Sequence, residues 1–196
     1  SRPPSRPTIS SPQDGATGTS LAPTLSSSAF SDPDTGDRHS ASQWQLTTTS
    51  GNYTSPVFDS GIDTANLVSL SVPTGTLTYN TTYYWHVRYR DSYGNWSDYS
   101  VQASFATAAL MANFTATPTQ VAPTQKVTFT DTSTGGPTSW VWDFGDGTTG
   151  EWTAATRPEG GTITHRYAAA GSYTVSLRVI SPTGEDTETK TGFIQV

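Results

Sequence analysis

Residues 140–147 read Trp-Val-Trp-Asp-Phe-Gly-Asp-Gly, and this stretch decides the fold of the second half of the chain. Trp140, Trp142 and Phe144 occupy alternate positions, so their rings point to one face of a β-strand. The Asp-Gly pair that closes the stretch is a strong signal for a tight turn between antiparallel strands. The stretch therefore predicts a buried strand that ends in a hairpin.

A second motif spans residues 165–179 and reads His-x-Tyr-x-x-x-Gly-x-Tyr-Thr-Val-x-Leu-x-Val. The two motifs together resemble those of the polycystic-kidney-disease (PKD) domain, and the resemblance covers roughly residues 111–196. It implies a seven-stranded β-sandwich related to the immunoglobulin type. It also implies a structural role for the motif residues, which here are Trp142, Asp143, Asp146, His165 and Tyr173.

The first half of the chain has its clearest strand at Thr82–Arg90, where every second residue from Tyr83 is apolar or aromatic. The pattern Leu-x-Tyr-x-Thr-x-Tyr over residues 77–83 resembles the tyrosine corner of fibronectin type III domains. This resemblance covers approximately residues 7–107. It implies that Tyr83 hydrogen-bonds the backbone just upstream and fixes the crossover between two sheets.

The remaining strands are predicted from short apolar runs between turn signals. In the first half they are Ser20–Phe30, Ala41–Thr49, Ser55–Asp59, Asn66–Val72 and Ser100–Thr107. In the second half they are Ala112–Ala116, Lys126–Asp131, Ser139–Phe144, Thr162–Tyr167, Ser172–Ile180 and Thr187–Val196. We therefore predict an all-β chain of two tandem immunoglobulin-like β-sandwiches. The predicted order is a Pro-rich linker (1–7), a fibronectin type III-like domain (8–107), a short linker (108–110) and a PKD-like domain (111–196).

Composition excludes several classes of function. A net charge of -6 and a pI near 4.8 argue against a nucleic-acid partner, which requires clustered Lys and Arg. The absence of Cys excludes disulfides and thiolate metal sites. No apolar run reaches the roughly 18 residues of a membrane-spanning helix, so no membrane span is expected in this fragment. Both resemblances imply a secreted or cell-surface protein.

Catalysis is not expected, although the chain contains carboxylates and three histidines. The sequence has neither a Gly-x-Ser-x-Gly elbow nor a His-Glu-x-x-His helix to organise a reaction. Asp143 and Asp146 are a carboxylate pair, but both belong to a turn, where Asp accepts local backbone N–H bonds. We predict that the chain is not an enzyme.

An acidic loop is a candidate site for calcium, and no other cofactor is expected. Asp32, Asp34 and Asp37 lie close together around a glycine, and a loop of this kind can present several oxygen ligands to calcium. The alternative is an ordinary turn that Arg38 neutralises, because Asp, Pro and Gly are common turn residues. The residues alone leave both interpretations open.

Aromatic residues near turns are the candidate ligand-binding residues. Trp152 and Arg157 fall in Thr148–Gly161, a stretch without periodicity that is predicted to be a loop. A large ring in a polar loop either covers a sheet edge or offers a flat face to a sugar or a partner chain. Tyr53 and Tyr93, beside other turns, are lesser candidates.

The stretch Trp-Ser-Asp-Tyr-Ser at residues 96–100 resembles the Trp-Ser-x-Trp-Ser box of cytokine-receptor fibronectin domains. The resemblance implies a stabilising ladder in which the rings of Trp96 and Tyr99 interleave with Arg88 and Arg90 by cation–π stacking. Trp96 is therefore a poorer candidate for a sugar-binding platform.

Asn-x-Ser/Thr sequons at Asn52, Asn80, Asn95 and Asn113 are either glycan acceptors or chance matches in a Ser- and Thr-rich chain.

The leading functional hypothesis is a non-catalytic extracellular accessory unit of a larger protein, acting as a spacer and as a protein- or carbohydrate-binding module. Its partners would be other domains of the same protein, extracellular polysaccharide or protein, or copies of itself. One alternative is a structural subunit of a filament, pilus or surface layer, with the lead at residues 1–7 tethered by a neighbouring subunit. A calcium-stabilised adhesin segment is the other alternative.

Overall fold

A computed structural model describes residues 1–182 and 184–196. The chain forms two compact units, Ser1–Ala108 (unit 1) and Ala109–Val196 (unit 2). Each is built from β-strands around its own buried core, which confirms the predicted all-β class and the pair of immunoglobulin-like sandwiches. No helix within the described residues has the length and apolar character needed to cross a membrane.

Unit 1 contains two sheets. Its strands in chain order are β1 (Ile9–Ser11), β2 (Ala16–Thr19), β3 (Thr24–Ser27), β4 (His39–Thr47), β5 (Phe58–Asp59), β6 (Ser69–Ser71), β7 (Thr82–Asp91) and β8 (Ala103–Thr107). One sheet has the order β1-β3-β6 and the other β2-β8-β7-β4-β5. Neighbouring strands are antiparallel except the parallel pair of β2 and β8.

The core of unit 1 follows from the alternation of β7, in which every second side chain from Tyr83 to Tyr89 is buried. From the neighbouring strand β4, Trp44 stacks on Trp85 with ring centroids 6.0 Å apart. Near the start of β7 the Tyr83 hydroxyl accepts a 2.9 Å hydrogen bond from the Thr78 N–H. This is the upstream backbone contact that the tyrosine-corner resemblance implies.

The Pro-rich lead at residues 1–7 packs on unit 1, which corrects the expectation of a linker. Pro4 and Pro7 are buried, and the Ser5 N–H donates to Ser31 O over 2.8 Å. Burial of the proline rings and the backbone hydrogen bond of Ser5 together outweigh the tendency of an extended segment to remain mobile. The weakly apolar strands β1 and β2, which the sequence patterns did not predict, continue this segment at the edges of the two sheets.

Unit 2 is a seven-stranded sandwich within the described residues. Its strands are β9 (Phe114–Thr117), β10 (Lys126–Asp131), β11 (Ser139–Asp143), β12 (Thr149–Thr153), β13 (Thr162–Arg166), β14 (Ser172–Ser181) and β15 (Gly184–Gln195). The sheets have the orders β13-β10-β9 and β12-β11-β14-β15, and all pairs are antiparallel. In the β11–β14 ladder Trp142 lies opposite Leu177, so the two sequence motifs pack side by side.

The predicted loop over Thr148–Gly161 is wrong in its first part, because β12 pairs there with β11. Trp152 lies opposite Trp140 in this ladder and is only 6% exposed. Its side chain is the one buried position of a five-residue strand, which gives no visible alternation in the sequence. The end of the stretch, Glu159–Gly161, forms a short 3-10 turn before β13.

Candidate functional site

Three carboxylates converge on unit 1. Asp32 and Asp37 come from the loop between β3 and β4, and Asp91 is the last residue of β7. One carboxylate oxygen of each lies within 4.8 Å of the other two. We call these three side chains the acidic cluster. Asp91 was missed as a site residue because it is distant in sequence and its Asp-Ser-Tyr-Gly-Asn context indicates only a turn.

Asp34, the third carboxylate predicted to bind calcium, is not a member of the acidic cluster. Its Oδ1 accepts a 2.8 Å hydrogen bond from the Arg2 guanidinium, and its Oδ2 accepts a 2.6 Å hydrogen bond from the Arg2 N–H. These hydrogen bonds, with the Arg2 charge, hold the pKa of Asp34 below its usual range. Of the predicted set Asp32, Asp34 and Asp37, the structure brings only Asp32 and Asp37 together, and it adds Asp91 to them.

The Asp91 side chain is held rigidly at the end of β7. Only 1% exposed, it accepts hydrogen bonds at Oδ1 from the N–H groups of Tyr93 (2.9 Å) and Asn95 (2.8 Å). Its Oδ2 accepts a further bond of 2.8 Å from the Asn95 side-chain amide. Burial alone would raise the pKa of Asp91, but these donors outweigh it and lower the pKa. Asp91 therefore presents an ionised, fixed carboxylate to the cluster.

A continuous stack of side chains covers the face of β7 opposite the core, and we call it the ladder. Its members in order are Tyr53, His86, Tyr99, Arg88, Trp96 and Arg90. The Arg88 guanidinium carbon lies 4.7 Å from the Tyr99 ring and 4.5 Å from the Trp96 ring. Arg90 lies 5.8 Å from Trp96. The geometry gives Arg88, Arg90, Trp96 and Tyr99 the stacked arrangement that the box resemblance implies.

His86 extends the ladder beyond the predicted residues. Its ring centroid is 3.6 Å from that of Tyr53 and 3.8 Å from that of Tyr99. Burial, assisted by the charge of Arg88, lowers the pKa of His86 to about 4, so the ring is neutral at pH 7. Stacking on His86 leaves Tyr53 half-buried rather than a free platform, whereas Tyr93 is 74% exposed.

Glutamine side chains anchor the ladder from β4. Gln43 Oε1 accepts a 2.6 Å hydrogen bond from Arg88, and Gln45 Oε1 lies 2.8 Å from His86 Nε2. The amides of both glutamines donate to Asp59, over 2.9 Å and 2.7 Å. The ladder is therefore a fixed part of unit 1, and its rings are occupied by one another.

A groove of about 440 Å³ opens on unit 1. The residues that line it include Arg6, Pro7, Ile9, Asp14, Val101 and Gln102. Asp14 Oδ1 accepts hydrogen bonds of 2.8 Å from both the N–H and the hydroxyl of Ser104. Gln102 Oε1 accepts bonds from the Gly51 N–H and the Tyr53 hydroxyl. The polar groups of the rim are thus held in place, while Val101 is 71% exposed.

Trp152 and Arg157 are not free to bind a ligand, which corrects both predictions. The Trp152 ring is buried against Trp140 and Trp142, with centroids 6.3 Å and 5.8 Å away. Arg157 donates a 2.9 Å hydrogen bond to the buried Asp131 and lies 5.2 Å from the Trp140 ring. Trp152 therefore covers part of a sheet and does not offer a flat face to a sugar or a partner chain.

The motif carboxylates of unit 2 hold the hairpin after β11. Asp143 Oδ1 accepts a bond of 2.8 Å from the Gly145 N–H, and Asp146 Oδ1 accepts one of 3.0 Å from the Thr148 N–H. His165 Nε2 lies 2.7 Å from Asp146 Oδ2, and its ring stacks on Phe144 at 4.3 Å.

These contacts give both carboxylates local structural partners. Burial would raise the pKa of Asp146, but its bonds to Thr148 and His165 lower it. Tyr173, in the second motif, donates from its hydroxyl to Ala169 O over 2.8 Å.

The four sequons differ in whether the Asn side-chain amide is exposed or already hydrogen-bonded within the fold. The Asn95 amide, where a glycan would attach, donates to buried Asp91. Asn113 is exposed, but its Oδ1 accepts bonds from the Phe114 N–H and from Lys190. Asn52 and Asn80 are exposed, and Asn52 uses only its Oδ1, as acceptor from Thr54. Modification at Asn95 would therefore disturb the acidic cluster.

Family models match both units. Residues 107–196 match the model of the PKD domain, and residues 19–111 match the model described as a Rha78A-like, N-terminal immunoglobulin domain. These matches confirm the predicted resemblance of unit 2 to PKD domains and the immunoglobulin-like character of unit 1. No curated protein sequence matches the chain.

Several solved structures are similar to parts or most of the chain. The PKD1 domain of the Vibrio cholerae metalloprotease PrtV is 29% identical over 45% of this chain and 99% of that chain, with a TM-score of 0.35. The Streptomyces avermitilis α-L-rhamnosidase complexed with L-rhamnose is 17% identical over 96% of this chain and 24% of that chain (TM-score 0.45). The fibronectin(III)-like modules of Clostridium thermocellum CbhA are 14% identical over 96% and 94% (TM-score 0.37).

Proposed function

We propose that this chain is a non-catalytic accessory segment of a larger extracellular protein, and that the groove of unit 1 binds carbohydrate. PKD and immunoglobulin-like domains are typical of extracellular proteins, which supports the location. The side chains that acid–base chemistry would need are engaged in the fold: Asp146 with His165, and His86 within the ladder. Each unit has its own buried core and is therefore a compact module, as a spacer between other domains would be.

The groove is the observation that carries the binding half of the proposal. Its volume of about 440 Å³ lies within the range of small-molecule sites. A sugar ring has an apolar face and a rim of hydroxyls. Val101 and Ile9 supply apolar surface. The anchored carboxylate of Asp14 can accept hydrogen bonds from hydroxyls, and the anchored amide of Gln102 can accept or donate them, at little cost in conformational entropy.

Retention on insoluble polysaccharides tests this proposal. Wild-type chain is mixed with a panel of plant and microbial polysaccharides, and the bound fraction is compared with that of Val101→Asp, which places a charge in the groove. Ile62→Asp is the matched control, because Ile62 is a 61% exposed apolar residue of unit 1 outside the groove. We expect retention to fall at least about tenfold for Val101→Asp and to persist in the control. Equal behaviour of the two variants, or no retention of the wild type, would overturn the proposal.

The filament alternative loses one of the two features that motivated it, while the open sheet edges remain. That alternative needed a neighbouring subunit to tether the lead at residues 1–7. The Ser5 N–H and the Arg2 side chain instead bind Ser31 and Asp34 of the same unit.

A further inference from the structure

The acidic cluster brings three carboxylates together without a direct ion pair to any of them within the described residues. Its members come from the β3–β4 loop and from the end of β7, so the fold itself joins them. Arg2 forms its ion pair with Asp34, although its charge also acts on Asp32. Across residues 1–182 and 184–196, none of the ion pairs involves Asp32, Asp37 or Asp91.

An independent feature of the cluster points to a missing ligand. Asp32 Oδ1 accepts a 2.8 Å hydrogen bond from the Asp34 N–H, but its Oδ2 is fully buried and has no hydrogen-bond partner. A buried carboxylate oxygen without a donor is costly, since it has lost water and gained nothing. A cation at the cluster would supply the absent partner.

Two members of the cluster have polar neighbours that hold them in place. Ser1 Oγ lies 2.6 Å from Asp37 Oδ2 and 3.3 Å from Asp91 Oδ2, so a neutral hydroxyl joins the carboxylates. Asp91 is held from behind by the Asn95 amide and by two backbone N–H groups, as a fixed ligand would be. All the atoms that could bind a metal here are oxygens, which suits a hard cation.

We propose that Asp32, Asp37 and Asp91 bind one calcium ion on unit 1. Calcium binds oxygen at about 2.3–2.6 Å, so its ligand atoms lie up to about 5 Å apart, a span that accommodates oxygens within 4.8 Å of one another. Magnesium, with bonds of about 2.0–2.1 Å, demands near-ideal octahedral geometry and usually keeps several of its waters. The bound ion joins the β3–β4 loop to the end of β7 and so stabilises unit 1. This inference does not depend on what the groove binds.

Calorimetric titration with Ca²⁺ and thermal unfolding in EDTA or calcium test the site on the full chain. We expect a dissociation constant of about 10⁻⁴–10⁻³ M, as for extracellular modules. The melting temperature of unit 1 should rise by about 10 °C when calcium exceeds that constant a hundredfold. Asp32→Asn and Asp37→Asn should each weaken binding at least about tenfold.

Asp34→Asn is the matched control, because Asp34 lies in the same loop but faces Arg2. It should retain calcium affinity within about twofold. Absence of heat and of any melting shift in the wild type would overturn the site. So would a loss of affinity in Asp34→Asn equal to that in Asp37→Asn, because it would mean diffuse attraction to an acidic loop. Magnesium that binds as tightly as calcium would also contradict the assignment.

Discussion

Trp152 lies directly opposite Trp140 in the β11–β12 ladder, with ring centroids 6.3 Å apart. Both rings are buried, and the guanidinium carbon of Arg157 lies over the Trp140 ring, 5.2 Å from its centroid. An aromatic residue that the sequence offers as a binding platform is therefore part of the core of unit 2. This difference between a ligand contact and a packing contact can be measured.

Trp152→Ala should destabilise unit 2 rather than weaken ligand binding. Removing a buried indole costs about 3–5 kcal/mol, from lost burial and from the cavity that remains. Urea unfolding of the full chain, followed by hydrogen exchange of unit 2 amides, measures the change. Met111→Ala, at a 61% exposed position of the same unit, should change stability by less than about 0.5 kcal/mol. A stable Trp152→Ala variant that no longer binds polysaccharide would refute this assignment.

The stability of unit 1 should depend on His86 below neutral pH. The pKa of His86 is lowered from 6.5 to about 4 in the folded chain, so between these values the unfolded chain binds a proton that the folded chain does not. Stability is therefore fully present above pH 6.5 and declines as the pH falls towards 4. For a partly exposed ring, screening reduces the effect to about 1–2 kcal/mol.

His86→Phe keeps a stacked ring but cannot titrate, so the stability difference between wild type and variant isolates His86 from other acid-sensitive groups such as His39. NMR titration of the His86 ring protons gives its pKa directly. A value near 6.5 would mean that the ring is not desolvated in the ladder.

Arg88→Met should lower the free energy of unfolding of unit 1 while preserving its fold. The guanidinium stacks between two rings and donates to Gln43, so its loss should cost about 1–3 kcal/mol. Because the charge of Arg88 also lowers the pKa of His86, that pKa should rise in the variant. Arg38→Met, on the exposed loop, is the control. An unchanged His86 titration in Arg88→Met would separate the two residues and contradict the ladder.

The sequence predicts this fold best where apolar side chains alternate strictly. Strand β7 and the motif strands β11 and β14 were found within one residue at each end, since their alternation directly reflects burial. Strands β1, β2 and β12 were missed because short Ser-, Thr- and Gly-rich segments owe their pairing to neighbours rather than to their own pattern.

Site residues were predicted less well, because they depend on contacts between distant segments. Asp32 and Asp37 stand out in the sequence as a local run of carboxylates. Asp91 lies beside them only because the fold places the end of β7 next to the loop. Asp34 is not in the group, because it forms an ion pair with Arg2 of the lead at residues 1–7. Likewise, the pairing of His86 with Tyr53 follows from how a loop folds back on β7, which no motif indicates.

Binding of carbohydrate in the groove of unit 1 is the central claim, and NMR titration of the isotopically labelled chain with soluble fragments of a retained polysaccharide tests it most directly. We predict saturable shifts of backbone amides along the groove, centred on Arg6, Asp14, Val101 and Gln102, with unit 2 unaffected and with the shifts absent in Val101→Asp. Shifts confined to unit 2 or to the exposed Tyr93 turn, or an unchanged spectrum at saturating ligand, would contradict the proposed function.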